Sequence, residues 1–322
     1  MNARSISMPN PKLALVIGAA GGFGQEAAAA LARHGWAVRA LARRAQPATN
    51  RIEWISGDAM KAGDVLAAAR GASVIVHAAN PPGYRDWDKL VLPMIDHTIA
   101  AARETGARIV LPGNIYNFGP DAFPTLHENS PQHPTTRKGA IRVEMEKRLE
   151  AAASSGARVL IVRAGDFFGP KAGNNYFSAV MVRPGSPVTR IIDPGRRGVS
   201  HAWAYLPDIG ETVARLLERE ERLRDFESFH FAGHQLAARE MAEAIRRAVG
   251  NPRLPVWPFP WALVLALQPF VPLFREMAEM RYLWQRSISL DGSKLAAFLG
   301  DALPATPLDV AVRDTLRGLG CL

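Results

Sequence analysis

One cysteine, Cys321, stands in 322 residues. An intrachain disulfide framework is therefore excluded, and a reducing compartment suits the chain. There is no HExxH string and no Cys/His cluster, so no metal site is expected. No GxSxG occurs, which argues against a nucleophile-elbow hydrolase. The first eleven residues are polar and contain no apolar run; they read as a loose tail without a secretory signal, and the expected location is the cytoplasm. Charge is missing from a different place, the 21 residues from Leu254 to Phe274. That length would span a bilayer, but five of the residues are proline and the helix-compatible part, Trp261 to Gln268, is too short to cross. The segment reads as a pocket wall or interaction surface without membrane insertion, and the Trp and Phe content of residues 254 to 285 leans towards an apolar or aromatic ligand.

What is present is an ordinary globular composition, 48% hydrophobic and 21% charged. The net charge of +9 comes from arginines spread over many segments. No aromatic platform is interleaved with them, so a nucleic-acid partner is not expected and a small-molecule substrate is.

The apolar run Leu13-Ala14-Leu15-Val16-Ile17 enters a turn, Gly18-Ala19-Ala20-Gly21-Gly22-Phe23-Gly24, that opens the alanine-rich stretch from Gln25 to Ala32. Strand, glycine turn and helix start in this order form a dinucleotide cradle, because glycines let backbone approach a pyrophosphate and the helix start offers it N–H groups. Gly18, Ala20, Gly21, Gly22, Phe23 and Gly24 are thus cofactor-binding candidates. An NAD site usually carries an acidic residue about 20 positions further on to hold the ribose 2′-hydroxyl. From Ala27 to Ile52 there is no Asp or Glu, but there are Arg33, Arg39, Arg43, Arg44 and Arg51. Arg43, where the second strand runs out, is suited to a 2′-phosphate, so NADP(H) is favoured over NAD(H), with Arg44 read as a solvated neighbour.

The first half alternates strands and helices, the pattern of a parallel sheet covered on both faces. The strands are predicted at Leu13–Ile17, Trp36–Leu41, Ile52–Ile55, Ser73–His77, Arg108–Leu111 and Arg158–Val162, with a long helix from Lys138 to Ala153. The fold class is α/β, a Rossmann-type doubly wound sheet over residues 12–170, followed by a smaller C-terminal substrate lobe over 171–322. Residues 205–233 are expected to return to the sheet, with a last strand at Phe226–Phe231. A later helix is predicted from Phe274 to Gln285.

These residues resemble the extended short-chain dehydrogenase/reductase family, of the nucleotide-sugar epimerase and dehydratase type. Gly18, Gly21 and Gly24 match its glycine motif. Asp58, ending the third strand, matches the residue that usually contacts adenine, and His77-Ala78-Ala79-Asn80 looks like the motif closing the fourth strand over the cofactor. Arg163-Ala164-Gly165-Asp166-Phe167-Phe168-Gly169-Pro170 is similar to the family's R-P-x-N-x-Y-G-P string. Tyr205-Leu206-Pro207-Asp208 resembles its later helix start, which would make Asp208 an N-cap. The resemblance implies that Asp58, Ala78, Ala79 and Asn80 bind the cofactor and that Asp166 stands where an asparagine usually meets substrate. A homodimer through the helices after strands four and five would also resemble the family.

The catalytic half of the pattern departs from it. The position of the usual Ser or Thr falls on Pro112, and no tyrosine lies between Tyr116 and Tyr176, so the Tyr-x-x-x-Lys is absent. In one reading Tyr116 takes over as the acid, with Lys138 or Arg142, four residues apart on one helix face, as its electrostatic partner. Asn114 and Asn117 would then meet a carbonyl or carboxamide, and Asp166, Asn174 and Asn175 would contact substrate. The function so implied is an NADPH-dependent oxidoreductase or epimerase-like enzyme acting on a small carbonyl or hydroxyl compound. A second reading is a catalytically silent dinucleotide-dependent sensor or regulator. A third is a reductase in which solvent or substrate handles the proton.

Overall fold

The computed structural model describes residues 12–44, 46–48, 51–81, 86–171 and 175–322. The chain opens with β1 (Leu13–Ile17), α1 (Gly22–Arg33), β2 (Ala37–Ala42), β3 (Ile52–Ser56), α2 (Ala62–Ala69), β4 (Val74–His77), α3 (Trp87–Thr105) and β5 (Arg108–Gly113). The two-residue β6 (Thr125–Leu126) precedes α4 (Arg137–Ala153), β7 (Arg158–Ala164) and β8 (Asp166–Phe168). Then come β9 (Ile191–Asp193), β10 (His201–Tyr205), α5 (Leu206–Leu217), β11 (Phe226–Phe231), β12 (His234–Leu236) and α6 (Glu240–Val249). The remainder is β13 (Val256–Pro258), α7 (Trp261–Leu267), α8 (Pro272–Glu279), β14 (Ser289–Leu290), α9 (Ser293–Leu299) and α10 (Leu308–Gly318).

Seven strands form one sheet in the order β11-β7-β5-β4-β1-β2-β3, every neighbouring pair parallel. Strand order reverses between β1 and β4, the crevice where open α/β sheets bind ligands. The alternation of side chains splits each central strand between two cores. Ala14 and Val16 join the core beneath α1 and α5, while Leu15 and Ile17 join the one covered by α2, α3 and α4. The apolar runs read from the sequence supply this sheet with ends shifted by one or two residues, and β11 completes it from the second half of the chain.

The rest of the second half makes a smaller assembly on β8, β10 and β12. Its core gathers Phe168, Phe177, Trp203, Tyr205 and Trp284 against α6 and α10. Two sequence expectations need correction here. Asp208 is not an N-cap: Tyr205 caps α5, and the Asp208 carboxylate instead accepts the backbone N–H (2.9 Å) and hydroxyl (2.6 Å) of Thr306. The helix expected over Phe274–Gln285 is α8 followed by a separate 3-10 turn, Arg281–Trp284. Leu283 and Trp284 of this turn are buried. Among the described residues no helix is long and apolar enough to cross a membrane.

Helices α1 and α5 touch backbone to backbone. A Cβ on Gly210 would lie 2.8 Å from the carbonyl carbon and oxygen of Glu26. Polar contacts continue the seam, with Arg33 on Glu211 at 3.2 Å and His34 held between Glu211 (2.8 Å) and Glu218 (2.7 Å). Gly210→Ala should therefore destabilise the protein by about 1–3 kcal/mol through overpacking, although alanine favours a helix by about 1 kcal/mol. Urea denaturation checks this, and a variant as stable as the parent or more so would contradict the close packing.

Candidate functional site

The carboxyl ends of β1, β2, β4 and β5 open into a cleft of about 680 Å³, within the size range of small-molecule and cofactor sites. Its floor is the glycine turn. Gly18 has φ +79°, and a Cβ there would sit 2.7 Å from the Ala78 carbonyl and the Ala79 Cα. A Cβ on Gly24 would come within 2.4 Å of the Gly18 carbonyl oxygen. The turn thus closes on itself and on the end of β4, as backbone with no side chain between. Gly21 caps α1 without a side-chain bond and the first turn carries no acidic residue. Its N–H groups, which a helix leaves without intrahelical partners, are available to phosphate. These residues fit a dinucleotide pyrophosphate.

Nearly all the cofactor candidates lie together. Gly18, Ala20, Gly21, Gly22, Phe23, Arg43, Asp58, Ala78, Ala79 and Asn80 line the cleft, and Gly24 supports it from behind. Of the arginines read as a cluster, Arg43 alone faces it. Arg39 is committed to the carbonyls of Ala68 (2.7 Å) and Arg70 (2.9 Å), Arg51 to the Gly35 carbonyl at 3.1 Å, and Arg33 to Glu211. Asp58 is locally fixed, its carboxylate accepting the Met60 N–H at 3.0 Å. At the other end stand Pro112, Asn114 and Arg142. The Arg142 guanidinium lies 5.1 Å over the Trp87 ring and donates to Asn80 Oδ1 at 3.5 Å.

His77, at the end of β4, lines the same cleft while being 2% exposed. Its Nδ1 is 2.8 Å from the Thr98 hydroxyl, which itself donates to the Met94 carbonyl at 3.2 Å. Thr98 therefore accepts from Nδ1–H. Burial, with Arg142 nearby, pushes the His77 pKa down to about 3, so the imidazole is neutral.

The other catalytic and substrate candidates are not brought together. Tyr116 is absent from the cleft lining and packs between two apolar clusters. The Lys138 side chain is 1% exposed and lies between Glu276 and Glu279 of α8, the latter at 2.8 Å, so its buried ammonium is paired with two carboxylates. Asn117 is also elsewhere, fully buried and donating to Gln132 at 3.0 Å. Gln132 in turn donates to Glu146, which binds Arg163 at 2.6 Å. Asp166 pairs with His201, whose ring stacks on Trp284 with centroids 4.1 Å apart. Asn174 falls outside the described residues. The uncharged 254–274 segment contributes nothing to the cleft lining, so its reading as a pocket wall does not hold for this site.

Asn175, expected near substrate, is in the lining, and so is Lys171, which reading from sequence missed. Lys171 follows Gly169-Pro170 directly and is the sole lysine between Lys147 and Lys294, a signal that was there to be used. It acts at a distance on Glu26, whose carboxyl is raised by burial and drawn back down by Lys171 and Arg33. Among the described residues the lining thus holds three cations, Arg43, Arg142 and Lys171, against one carboxylate, Asp58.

The model of a family described as NAD(P)H-binding matches residues 18–189. An uncharacterised protein, y4nL, from Sinorhizobium fredii (strain NBRC 101917 / NGR234) is 30% identical over 185 residues, which cover 50% of this chain. The match spans 52% of that curated relative, about half its length. A putative epimerase from Burkholderia cenocepacia J2315 superimposes with a TM-score of 0.75 at 19% identity, over 97% of this chain and 99% of the other. The GalE-like L-threonine dehydrogenase from Cupriavidus necator does so at 0.72 and 20% identity, over 96% and 100%. The shared fold is that of epimerase and short-chain dehydrogenase structures.

A pH effect on stability follows from the buried histidines. His230 is likewise pushed down to about 3 by burial, with Arg163 adding to the effect. Unfolded imidazoles titrate near 6.5, so the unfolded chain takes up protons first and stability falls as pH drops from about 6.5 towards 3. Between pH 7 and pH 5 the expected loss is on the order of 1–2 kcal/mol per histidine. Urea midpoints at the two pH values should show a shallower loss for His77→Gln; an unchanged slope would refute the buried neutral state.

Proposed function

The chain belongs to the NAD(P)H-binding family, and from that premise we propose that it is an NADP(H)-dependent oxidoreductase or epimerase-like enzyme. Its substrate is a small carbonyl or hydroxyl compound, and its active site is rearranged. The observation that carries this reading is the distribution of charge around one continuous cleft. A guanidinium, Arg43, stands at the exit of β2, and a second, Arg142, stands beside Pro112 and Asn114 at the end of β5. The first suits a ribose 2′-phosphate, with Asp58 beside it on the adenosine side. The second suits the oxygen of a substrate carbonyl.

Bound in this cleft, a nicotinamide supplies or accepts hydride at carbon. The chain's own groups orient the reactants and hold charge. Arg142 donates to the oxygen on which negative charge develops, while its stacking on Trp87 and its bond to Asn80 limit its rotamers. Arginine stays protonated, so it is an electrostatic donor and not a base. His77 is neutral and buried, so in this reading water or the substrate carries the proton. Asn114 faces the same space and Lys171 lies on the lobe side, suited to anionic substrate or pyrophosphate oxygens. We assign Tyr116 and Lys138 to supporting roles: Tyr116 donates its N–H to Asn114 Oδ1 at 3.0 Å, and Lys138 anchors α4 to α8. A homodimer remains part of this proposal by family resemblance.

The catalytically silent sensor is the second reading, favoured by one observation, the sequestration of Lys138 by two carboxylates. A panel of small carbonyl compounds assayed for NADPH consumption separates the two. Turnover is expected with at least one member, and Arg142→Ala should lower kcat/KM by about 10²–10³-fold, the cost of removing one charge-stabilising donor. Binding of NADPH with no consumption across the panel would favour the sensor. For the coenzyme, Arg43→Glu should weaken NADP binding about 10–100-fold through loss of a charge-assisted contact. NAD binding should change far less, and calorimetry showing equal losses would overturn the preference.

A further inference from the structure

The uncharged stretch from Leu254 to Phe274 forms β13, α7 and the start of α8, and it folds inside out. Of these 21 residues only Leu254 and Val264 are buried. Helix α7 turns one side chain, Val264, inward, and α8 turns none fully inward. The apolar side chains point to solvent instead: Phe270 is 81% exposed, Leu263 53%, Trp257 52%, Leu273 52% and Leu267 37%. Among the described residues these are five of the seven exposed large hydrophobic side chains. A solvent-facing apolar cluster of this kind, confined to one hairpin, marks a contact surface.

The charge around the cluster says what it contacts. Arg190 lies 5.1 Å over the Trp257 ring. Arg253 and Arg275 flank the uncharged stretch at its two ends, both exposed. Trp261 donates its indole N–H to the Pro194 carbonyl at 3.2 Å, which brings the exposed Arg196 and Arg197 alongside. The nearby carboxylates are engaged, Glu276 by Arg137 at 3.0 Å, Glu279 by Lys138 at 2.8 Å and Asp193, opposite Pro258, by the Gly195 N–H at 2.9 Å. The result is an apolar knob in a cationic rim.

We propose that this hairpin docks the protein on an anionic lipid surface. Trp257, Leu263, Phe270 and Leu273 enter the headgroup boundary, and the rim arginines pair with lipid phosphates. The helices lie along the interface, since the seven residues of α7 cannot cross a bilayer. A second copy of the chain is a poorer occupant, because a two-fold contact would set the arginine rims of like charge against each other.

Flotation of the full chain with vesicles tests the proposal, using phosphatidylcholine alone and phosphatidylcholine mixed with phosphatidylserine. Binding is expected to the mixed vesicles and to weaken with salt. Phe270→Ser combined with Leu273→Ser should lower partitioning about tenfold or more. Arg190→Glu and Arg253→Glu should each lower it about fivefold or more. All variants should keep the parent's thermal midpoint, since the side chains are exposed; if one does not, the salt dependence of the parent decides alone. No flotation with anionic vesicles would overturn the proposal, as would equal flotation with both lipids at all salt concentrations. A concentration-dependent dimer abolished by the Phe270 and Leu273 substitutions, without flotation, would assign the surface to a second copy and also overturn it.

Discussion

Backbone meeting backbone at the end of β1 is the constraint on which the rest of the molecule depends. Gly18 and Gly24 leave no room for a Cβ against one another or against Ala78 and Ala79. That contact sets the distance between β1, β4 and the start of α1. Because the three elements converge there, the cleft has a polar floor of main-chain groups and a hydrophobic substructure directly beneath, Ala14 and Val16 on one side and Leu15 and Ile17 on the other.

Helix α4 shows how the same scaffold redistributes charge. In the short-chain dehydrogenase pattern this helix would carry a tyrosine and a lysine facing the cofactor. Here its first turn is tied to α8 through Lys138, and one turn later Arg142 reaches the cleft over Trp87. Further along, Glu146 binds Arg163 and Gln132 in the interior. One helix thus anchors the second lobe, lines the cleft and closes a buried polar network. Each of these ion pairs is shielded from water, so truncating one partner would strand a charge.

Much of this was readable from the chain alone, for a physical reason. The glycine turn, the strand apolar runs and the His77–Asn80 string are local patterns, and local geometry follows from neighbouring residues. Arg43 could be singled out because it is adjacent to a strand end. What could not be read depends on partners far away in sequence. Lys138 meets carboxylates 138 and 141 positions later, Asp208 meets Thr306, and Asp166 meets His201 across two strands paired in parallel. Asn117 looked like a cleft residue because it follows a strand end closely, yet a second turn in the loop carries it inward to Gln132. Uncharged composition between 254 and 274 was visible, but which way the side chains would face was not, since proline-interrupted segments carry no periodicity.

The seam between α1 and α5 has a mechanical consequence. Tyr205 passes straight from β10 into α5 without a loop, and α5 lies on α1 with main chain touching at Gly210 and Glu26. Helix α1 and the three-stranded sheet of the second half are therefore welded together, so a ligand entering the cleft meets a glycine floor already fixed to the second half of the chain.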